Sequence, residues 1–266
     1  MKFLAVIQAR CGSSRLPSKV LMDLCGKTVL ERVIERVKSS RSVDEVMTAT
    51  TLNPEDIPIV QLVSSSRMRV FAGSAFDVLD RYYQAAKLIQ PEYVIRITAD
   101  CPVFDGKILD DAIEQLQPQT DYMADLSETL PDGLDLEIMR YEALCRAWKE
   151  AELASEREHV TVYIKNHPEL FRIQDYQCPA GDLHKERWTI DEPQDYEFIL
   201  NIYRHFIEIG REDFGMADIL SYLNENPKLR MMNAGIMRNE GLKVSLRNDY
   251  IVKQDKAVCG EGGQDL

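Results

Sequence analysis

Residues 1–19 read MKFLAVIQARCGSSRLPSK, in which a short apolar run leads directly into a polar, positively charged loop. The run from Lys2 to Ile7 predicts a buried strand. The loop that follows contains Arg10, Arg15 and Lys19 and no acidic residue, although the formal net charge of the chain is −12. Open α/β sheets bind ligands beyond the carboxyl end of a parallel strand, so this loop is the first candidate site.

The chain after this loop alternates short apolar runs with amphipathic stretches. In the stretch from Val29 to Lys38, Leu30, Val33 and Val37 share one face of a helix. Repeated strand–helix units of this length predict an α/β fold with a parallel sheet and helices on both faces. We predict strands or extended segments at residues 2–7, 43–49, 69–71, 93–97, 134–139, 171–178 and 187–190, and helices at 29–38, 54–63, 76–88, 105–116, 141–153, 156–166, 193–209 and 216–225.

Composition and charge exclude several classes of protein. The length of 266 residues suffices for one large domain or two small ones with a buried core. The pI near 4.9 argues against a general nucleic-acid binder, because phosphates would meet an opposing field. The first apolar run is too short for a membrane span or a signal peptide, so we expect no membrane partner. Six cysteines without a CxxC pair predict reduced thiols and a cytoplasmic protein.

The polar loop has the composition of a phosphate site. Gly12, Ser13 and Ser14 are small, which lets backbone N–H groups approach an oxyanion closely. The arginine and lysine side chains of the loop carry enough positive charge to neutralise a di- or triphosphate. The loop matches neither the Walker pattern GxxxxGK[ST] nor GxGxxG, and a surface loop of solvated charges is the alternative interpretation.

Two carboxylates follow later predicted strands. Asp100 lies two residues before Pro102, and Asp191 lies two residues before Pro193. Carboxylates at the edge of a sheet that also carries a cationic loop suit Mg²⁺ bridging to phosphate oxygens. Turn formation by Asp100 and helix capping by Asp191 are the alternatives, although one residue can serve both roles.

The central region, residues 130–180, interrupts the alternation of strands and helices. We interpret it as an excursion from the sheet, a cap or a dimerisation arm. Its apolar side chains would form an exposed patch on a monomer, which predicts a twofold homodimer. The competing account is a roof over the binding pocket of the same chain. The apolar residues are Leu134, Leu136, Ile138, Tyr163, Ile164, Phe171 and Ile173.

Six segments are informative together: QARCGSSRLPSK (8–19), FAGSAFDVLDRYY (71–83), RITADCP (96–102), PDGLDLE (131–137), SEREHV (155–160) and RWTIDEPQD (187–195). In this order they resemble the SpsF-type cytidylyltransferase family, which is related to the acylneuraminate and 3-deoxy-manno-octulosonate cytidylyltransferases. The resemblance covers about residues 1–211, and residues 233–249 look like a family extension. The chain departs from the pattern with Cys11 where Met is usual and Ser18 where Gly is common.

The resemblance implies a Rossmann-like, three-layer nucleotidyltransferase fold with a mixed, mostly parallel sheet and a central excursion. It implies a nucleotidyltransferase domain at residues 1–230, with a sugar-site or dimerisation excursion at 130–180, and a partly disordered extension at 231–266. The implied reaction transfers CMP from CTP to a sugar, with Mg²⁺ as cofactor and release of pyrophosphate, for polysaccharide or glycan biosynthesis. CTP and a small sugar would be the partners, rather than nucleic acid or a membrane.

Carried over position by position, the resemblance also implies roles for individual residues. Mg²⁺ would be held by Asp100 and Asp191. Catalysis would depend on Arg10, Arg15, Lys19 and Asp100. The sugar would be bound by Asp132, Glu137, Arg157, Glu158 and His159. The nucleotide would be bound by Gln8, Ala9, Arg10, Gly12, Ser13, Arg15, Lys19, Asp80, Arg81 and Thr98.

Two other functions stay open on the sequence alone. A glycosyltransferase would use an Asp-x-Asp motif, and this chain has Asp100, Cys101 and Pro102 at that place. A non-catalytic nucleotide-binding or scaffold protein is the second alternative, although the cationic loop and both carboxylates are intact.

The substrates of the implied reaction also stay open. The candidate acceptors are a nonulosonic acid, an octulosonic acid, or an amino or phosphorylated hexose. A relative that uses guanine instead of cytosine is also compatible with the pattern.

Overall fold

The first strand, β1 (Phe3–Gln8), lies inside a mixed sheet in the computed structural model, which describes residues 2–252. Phe3 to Ile7 are buried, so both faces of this strand must be covered by helices. In the described residues the other strands are β2 (Glu45–Thr51), β3 (Arg69–Gly73), β4 (Tyr93–Thr98), β5 (Tyr122–Ala124), β6 (Glu137–Arg140) and β7 (Ile173–Asp175).

The order of the strands creates a crevice at one edge of the sheet. The order is β3-β2-β1-β4-β6-β5-β7, and β6 runs antiparallel to both neighbours while the other described strands run parallel. The chain moves outward from β1 to β3 and then returns to β4 on the other side of β1. Gln8 pairs with Thr98 at the carboxyl ends of β1 and β4. Ligands of open α/β sheets bind at such a reversal point.

Helices alternate with the strands, as the sequence predicts. The first helix begins at a capping box, in which the Thr28 hydroxyl accepts a hydrogen bond from the Glu31 N–H at 3.2 Å. In the described residues the helices are α1 (Val29–Lys38), α2 (Ile57–Ser65), α3 (Val78–Lys87), α4 (Gly106–Gln115), α5 (Tyr141–Glu150), α6 (Ala154–Glu158), α7 (Val162–Asn166), α8 (Pro193–Glu208), α9 (Met216–Glu225), α10 (Pro227–Arg230) and α11 (Glu240–Arg247).

The helices form a layer on each side of the sheet. Helices α1, α2, α4, α8 and α9 pack against the side of β1 that carries Phe3, Ala5 and Ile7. Helices α3, α5 and α7 pack against the opposite side, which carries Leu4 and Val6. The three-layer α/β architecture with a mixed, mostly parallel sheet is therefore confirmed.

The strand predicted at residues 187–190 is wrong. Within the described residues this extended segment makes a single bridge, to Asp132. The Trp188 N–H donates to the Asp132 carbonyl at 2.6 Å, and the Ile190 N–H donates to the Asp100 carbonyl at 2.8 Å. Because its neighbours are loops rather than a strand, the segment cannot continue as a ladder.

The single helix predicted at residues 156–166 is divided into α6 and α7. Val160 lies between them with a φ of 56°, a conformation that a β-branched residue rarely adopts, so the sequence carries no signal for the break. The break brings the Thr161 hydroxyl within 2.6 Å of the Glu137 carboxylate. The sequence patterns also do not predict β5, α10 or α11, which are short elements of three, four and eight residues.

The central region belongs to the sheet rather than to a projecting arm. Strand β6 lies between β4 and β5, and β7 pairs with β5. The apolar patch that predicts a homodimer is therefore not exposed at these positions, and the homodimer stays a prediction without that argument. The side chains buried within the chain are Leu134, Leu136, Ile138, Tyr163, Ile164 and Phe171.

Residues 231–252, the C-terminal strap, pack along the carboxyl edge of the sheet. Asn233 is buried and donates a hydrogen bond to the Arg187 carbonyl at 3.0 Å. The Ser245 hydroxyl donates to Glu158 at 2.9 Å. The expected boundary at residue 230 is therefore crossed by a buried contact of Asn233 and an exposed hydrogen bond of Ser245. Residues 253–266, which are part of the extension predicted to be partly disordered, lie outside the described residues.

Other expectations about the class of protein concern the cysteines and the membrane. Five cysteines, at positions 11, 25, 101, 145 and 178, are free thiols. Cys259 lies outside the described residues. Of the helices between residues 2 and 252, none combines the length and the apolar character that a bilayer crossing requires.

Gly133 provides a test of the packing between residues 130–134 and the segment at 187–190. Gly133 has a φ of 107°, and a Cβ there would lie 2.7 Å from the Trp188 carbonyl carbon. We expect Gly133→Ala to lower the free energy of unfolding by roughly 2–5 kcal/mol, through backbone strain and overpacking. Gly235→Ala is the matched control, because a Cβ there meets nothing within 4 Å. Equal stability of the two variants in urea unfolding would contradict this packing.

Candidate active site

The Lys19 ammonium lies between the two carboxylates that the sequence singles out. Its Nζ is 2.7 Å from Asp100 Oδ2, 2.7 Å from Asp191 Oδ1 and 2.7 Å from the Ile190 carbonyl oxygen. An ammonium has three N–H donors, so each of these oxygens can take one. The contacts join the loop after β1, the turn after β4 and the segment before α8. We call this arrangement the Lys19 clamp.

Mutual charge compensation keeps the clamp ionised. Burial opposes the charged forms of Lys19 and Asp100, but the ion pair outweighs burial in both cases. The pKa of Asp100 is therefore lowered to about 2, and the pKa of Lys19 is raised. Because its three hydrogens are donated within the protein, Lys19 has none left for a phosphate. The structure thus shows a positioning contact for Lys19, and its predicted role as a phosphate ligand stays a prediction.

A buried carboxylate anchors the loop that carries Lys19. Asp56 is 1% exposed and accepts a hydrogen bond from the Cys11 N–H at 2.6 Å. The Thr51 hydroxyl donates to its other oxygen. Ser18 adopts a φ of 56°, the left-handed conformation for which glycine is favoured, which accounts for the Gly that is common here in the family that the sequence resembles. The sequence patterns do not single out Asp56.

Arg10 is the exposed cation of the loop. Among residues 2–252 its guanidinium has no ion-pair or hydrogen-bond partner, and it borders a cavity of about 710 Å³. The Ser13 N–H already donates to the Cys11 carbonyl at 2.8 Å, whereas the amides of Gly12 and Ser14 have no acceptor in the described part of the chain. One unpaired guanidinium and two backbone amides at a cavity suit an anion.

Arg15 connects the loop to two other segments. Its guanidinium lies 3.1 Å from Asp191, 3.4 Å from Glu192 and 3.7 Å from Glu240. The side chain is 34% exposed, so it faces the same cavity while it balances these carboxylates. Arg15 therefore links the loop both to the start of α8 and to the C-terminal strap.

Arg187 holds carboxylates of the site in place, a role that the sequence patterns do not predict. Its guanidinium donates to both oxygens of Asp195 at 2.9 Å and to Asp132 at 2.5 Å. Asp195 is fully buried and accepts the Asp191 N–H at 3.0 Å and an amide N–H of Asn233 at 2.9 Å. This network fixes the backbone of Asp191. The RWTIDEPQD segment that contains Arg187 and Asp195 is the signal in the sequence that could have identified them.

Both carboxylate oxygens of Glu137 are occupied by donors from the protein. Its carboxylate accepts hydrogen bonds from Tyr122 at 2.5 Å, Thr161 at 2.6 Å and Arg96, and it lies 2.9 Å from the Lys165 ammonium. Burial favours the neutral acid, but Lys165 and Arg96 hold the pKa of Glu137 well below its usual range. Glu137 thus orients Arg96 and Lys165, and its predicted sugar contact stays a prediction. A charged residue in the buried strand β4 is the sequence signal for Arg96.

A second cavity, of about 440 Å³, adjoins the first, and Asp132 borders it. Burial and the neighbouring Asp135 raise the pKa of Asp132 to about 6, against the opposing charges of Arg187 and Arg238. Arg238 comes from the C-terminal strap and donates to the Leu130 carbonyl at 3.0 Å. The strap thus contributes a cation to this cavity, which the sequence patterns do not predict.

Several predicted ligand residues surround a third, smaller cavity of about 140 Å³. Arg81 is 1% exposed and donates to the Ser74 carbonyl at 3.0 Å. Thr98 borders both larger cavities. The predicted residues at the third cavity are Gln8, Ala9, Arg10, Arg81, Glu158 and His159.

Asp80 and Arg157 lie away from these cavities. The Asp80 carboxylate accepts hydrogen bonds from the Trp148 indole at 2.8 Å and from Gln84 at 3.1 Å. Arg157 is 7% exposed and donates to Asp77 at 2.8 Å. These contacts join α3 to α5 and α6. The positions therefore give no support to the predicted roles of Asp80 with the nucleotide and Arg157 with the sugar.

The residues around the clamp can supply part of a Mg²⁺ site. Asp100 Oδ1 and Asp191 Oδ2 lie outside the contacts with Lys19, and Mg²⁺ prefers such oxygen ligands. Among residues 2–252 there is no group of three or more His, Cys, Asp or Glu side chains that could hold a metal. The two carboxylates therefore fit Mg²⁺ as partial ligands, because substrate phosphates commonly complete its coordination shell.

The fold and the site define a nucleotide-binding α/β protein with an anion loop and paired carboxylates at the reversal point of the sheet. A family model described as Cytidylyltransferase matches residues 4–221. The chain belongs to the cytidylyltransferase family.

Known proteins are similar over most of the chain. An uncharacterized protein of Methanocaldococcus jannaschii is 38% identical over 239 residues, which cover 89% of this chain and 96% of that protein. The spore coat polysaccharide biosynthesis protein SpsF of Bacillus subtilis is 34% identical over 84% of this chain and 95% of its own length. The structure of a cytidylyltransferase from Leptospira borgpetersenii has a TM-score of 0.81 and 30% identity, and covers 90% of this chain and 100% of that one.

Removal of Lys19 tests the clamp. We expect Lys19→Met to lower the free energy of unfolding by about 1.5–3 kcal/mol, because Asp100 loses its counter-ion and Asp191 keeps only Arg15 and Arg187. Lys27→Met is the control: its ammonium is 2.7 Å from Glu35 but 41% exposed, so we expect a loss below about 1 kcal/mol. Urea unfolding at neutral pH measures both. If the two variants lose the same amount, Lys19 does not hold the three segments together.

The raised pKa of Asp132 predicts a dependence of stability on pH. A carboxyl with an ordinary pKa of 3.8 that titrates at about 6 when folded binds more protons in the native state, so its contribution falls as pH rises from about 4 to 6. Asp132→Asn removes this titration. We expect the variant to gain about 2–3 kcal/mol relative to the unsubstituted protein between pH 4 and pH 7. A stability difference that is constant over that range would contradict the shift.

Proposed function

We propose that this protein transfers CMP from CTP to an acceptor sugar and releases pyrophosphate, as a step in polysaccharide or sugar-acid metabolism. Membership of the cytidylyltransferase family supports the nucleotide. The Bacillus subtilis relative is named for spore coat polysaccharide biosynthesis, and more distant relatives are named 3-deoxy-manno-octulosonate cytidylyltransferases. The acceptor we propose is a nonulosonic acid or a related sugar acid, with an amino or phosphorylated hexose as the other candidates.

One observation carries the proposal: the carboxylates of the Lys19 clamp lie where the two larger cavities meet. The first cavity is bordered by the loop with Arg10 and Arg15, which suits phosphates. The second cavity is lined by positively and by negatively charged side chains, which suit a sugar with an ionised group. A triphosphate in the first cavity and a sugar in the second would bring the α-phosphorus to Asp100 and Asp191.

The chain's own residues then act mainly by position and charge. A hydroxyl oxygen of the sugar attacks the α-phosphorus, and the bond to the β-phosphate oxygen breaks. Arg10 and the amides of Gly12 and Ser14 bind outer phosphates and offset the charge that develops on pyrophosphate. Lys19 keeps Asp100 and Asp191 ionised and close together, which fixes the geometry of the attack.

We also propose that the reaction requires Mg²⁺, held by Asp100 and Asp191 together with phosphate oxygens. When bound, the ion supplies Lewis-acid chemistry that withdraws charge from the phosphate. The two carboxylates supply the oxygen ligands that this ion prefers. Chelation with EDTA should abolish turnover, and added Mg²⁺ should restore it.

Pyrophosphate release tests the proposed function. CTP, GTP, ATP and UTP are each combined with Mg²⁺ and with 3-deoxy-manno-octulosonate, an acylneuraminate, or an amino or phosphorylated hexose. We expect release only when CTP and one acceptor are both present. Release without an acceptor, release with GTP in preference to CTP, or no release with any pair would contradict the proposal.

Substitution of Arg10 tests the phosphate loop in the same assay. Arg10 is exposed and unpaired within the described chain, so Arg10→Ala should leave stability unchanged. We expect the KM for CTP to rise about 10–100-fold through loss of charge-assisted hydrogen bonds. Arg69→Ala is the matched control. Arg69 lies at the start of β3, is 55% exposed and pairs with Glu45 at the start of β2. An unchanged KM for CTP in Arg10→Ala would place the phosphates elsewhere.

A further inference from the structure

Four side chains border both the phosphate-side cavity and the sugar-side cavity. They are Thr98, Asp100, His159 and Asp191. If the reaction takes place where the cavities meet, a group that removes the proton of the attacking hydroxyl must be one of these or a neighbour. His159 also borders the small third cavity, so it lies at the junction of all three.

Three of the four side chains are already committed to other contacts. Asp100 and Asp191 each bind the Lys19 ammonium at 2.7 Å. A carboxylate whose pKa is lowered to about 2 is also a weak base. The Thr98 hydroxyl lies 3.1 Å from the Cys101 thiol, and a neutral hydroxyl accepts a proton poorly.

His159 is different because one of its ring nitrogens is free. Within the described chain, Nε2 is buried and has no hydrogen-bond partner. Glu158 Oε2 is 3.7 Å from Nε2, which exceeds hydrogen-bond distance. The backbone of His159 is held at the end of α6, where its N–H donates to the Ser155 carbonyl at 2.9 Å. A buried nitrogen without a partner costs stability unless a ligand supplies one.

We propose that His159 Nε2 is the general base of the reaction, an inference that rests on the proposed transfer of CMP to a sugar hydroxyl. As the hydroxyl oxygen bonds to the α-phosphorus, its proton moves to the Nε2 lone pair. The electron pair of the broken phosphorus–oxygen bond leaves with pyrophosphate. The imidazolium then returns the proton to solvent or to pyrophosphate, which restores the neutral ring.

The surroundings of His159 favour the neutral ring that this role requires. Burial lowers the pKa of His159 below its usual range, so the ring is unprotonated at neutral pH. Glu158 on its own element and Glu137 from β6 favour the protonated form, whereas Arg96 from β4 and Lys165 from α7 oppose it. Glu137 is itself compensated by Arg96 and Lys165, which limits its influence.

The test uses His159→Gln, which keeps an amide near the position of Nε2 but cannot take up a proton. Pyrophosphate release is measured from pH 5 to pH 9 with CTP, Mg²⁺ and the acceptor found active above. We expect kcat to fall about 10²–10⁴-fold, as is usual for loss of a general base, with the KM for CTP changed less than about threefold. A base whose pKa is lowered by burial gives kcat an acidic limb, and this limb should disappear in His159→Gln.

Two further variants separate the chemistry from structural effects. His159→Ala leaves space for added imidazole, which should restore part of the rate, whereas a purely structural role would show no such recovery. His184→Gln is the matched control, because His184 is 51% exposed and pairs with Asp182. It should leave kcat and the pH profile unchanged.

The possible results distinguish failure of the general base from failure of the proposed CMP transfer. A kcat within threefold of the unsubstituted enzyme, or an acidic limb retained in His159→Gln, would overturn the base while the proposed function stands. A tenfold loss of CTP affinity in calorimetry would show instead that His159 binds the nucleotide, and would also overturn the base. Absence of pyrophosphate release from the unsubstituted protein with every acceptor would reject the proposed function and the base with it.

Discussion

The structure depends most on one buried ammonium. Lys19 binds Asp100, Asp191 and the Ile190 carbonyl at 2.7 Å each, and so joins segments that are 81 and 172 residues away along the chain. A buried charge without partners is expensive, so none of these segments can move away alone. The crevice beside β1 and β4 owes its shape to this constraint. The free donors that remain for a ligand belong to Arg10 and to the loop amides, because the lysine is fully used.

Further layers of charge compensation surround the clamp. Arg187 neutralises Asp195 and Asp132, and Asp195 in turn fixes the backbone at Asp191. Asn233 adds a donor to Asp195 from the C-terminal strap. At the second cavity, the buried Glu137 carboxylate contacts Arg96, Lys165 and two hydroxyl groups. Most charged groups of the site thus contact at least one opposite charge, and the few buried polar atoms without a partner, such as His159 Nε2, are candidates for ligand contact.

Periodicity and composition predict the architecture where the local pattern decides the structure. Helix α1 is predicted from Val29 to Lys38 and has those bounds, because its apolar stripe and its capping box agree. The loop and Asp100 are also predictable, since polar residues directly after β1 and β4 meet at one edge of the sheet. Asp191 reaches that edge through the Ile190–Asp100 contact rather than from a strand. Long-range partners decide the rest. Residues 187–190 have the pattern of a strand but lie between loops. Val160 interrupts a helical pattern, and the break places the Thr161 hydroxyl against the Glu137 carboxylate. The protein contacts of Lys19 and Glu137 are not predictable from the sequence, because a sequence does not display which side chains are buried together.

The spacing of the clamp along the chain has a consequence for synthesis on the ribosome. The loop with Lys19 emerges early, because domains are made from the N-terminus onward. Its two carboxylates come 81 and 172 residues later. Until residue 191 has left the exit tunnel, the Lys19 side chain lacks its partner Asp191 and stays partly hydrated, although Asp56 can already hold the start of the loop. The ligand-binding edge is therefore completed among the last events of biosynthesis, although its first residues are among the first translated, and a nascent chain that stalls early carries an open edge rather than a weakly active enzyme.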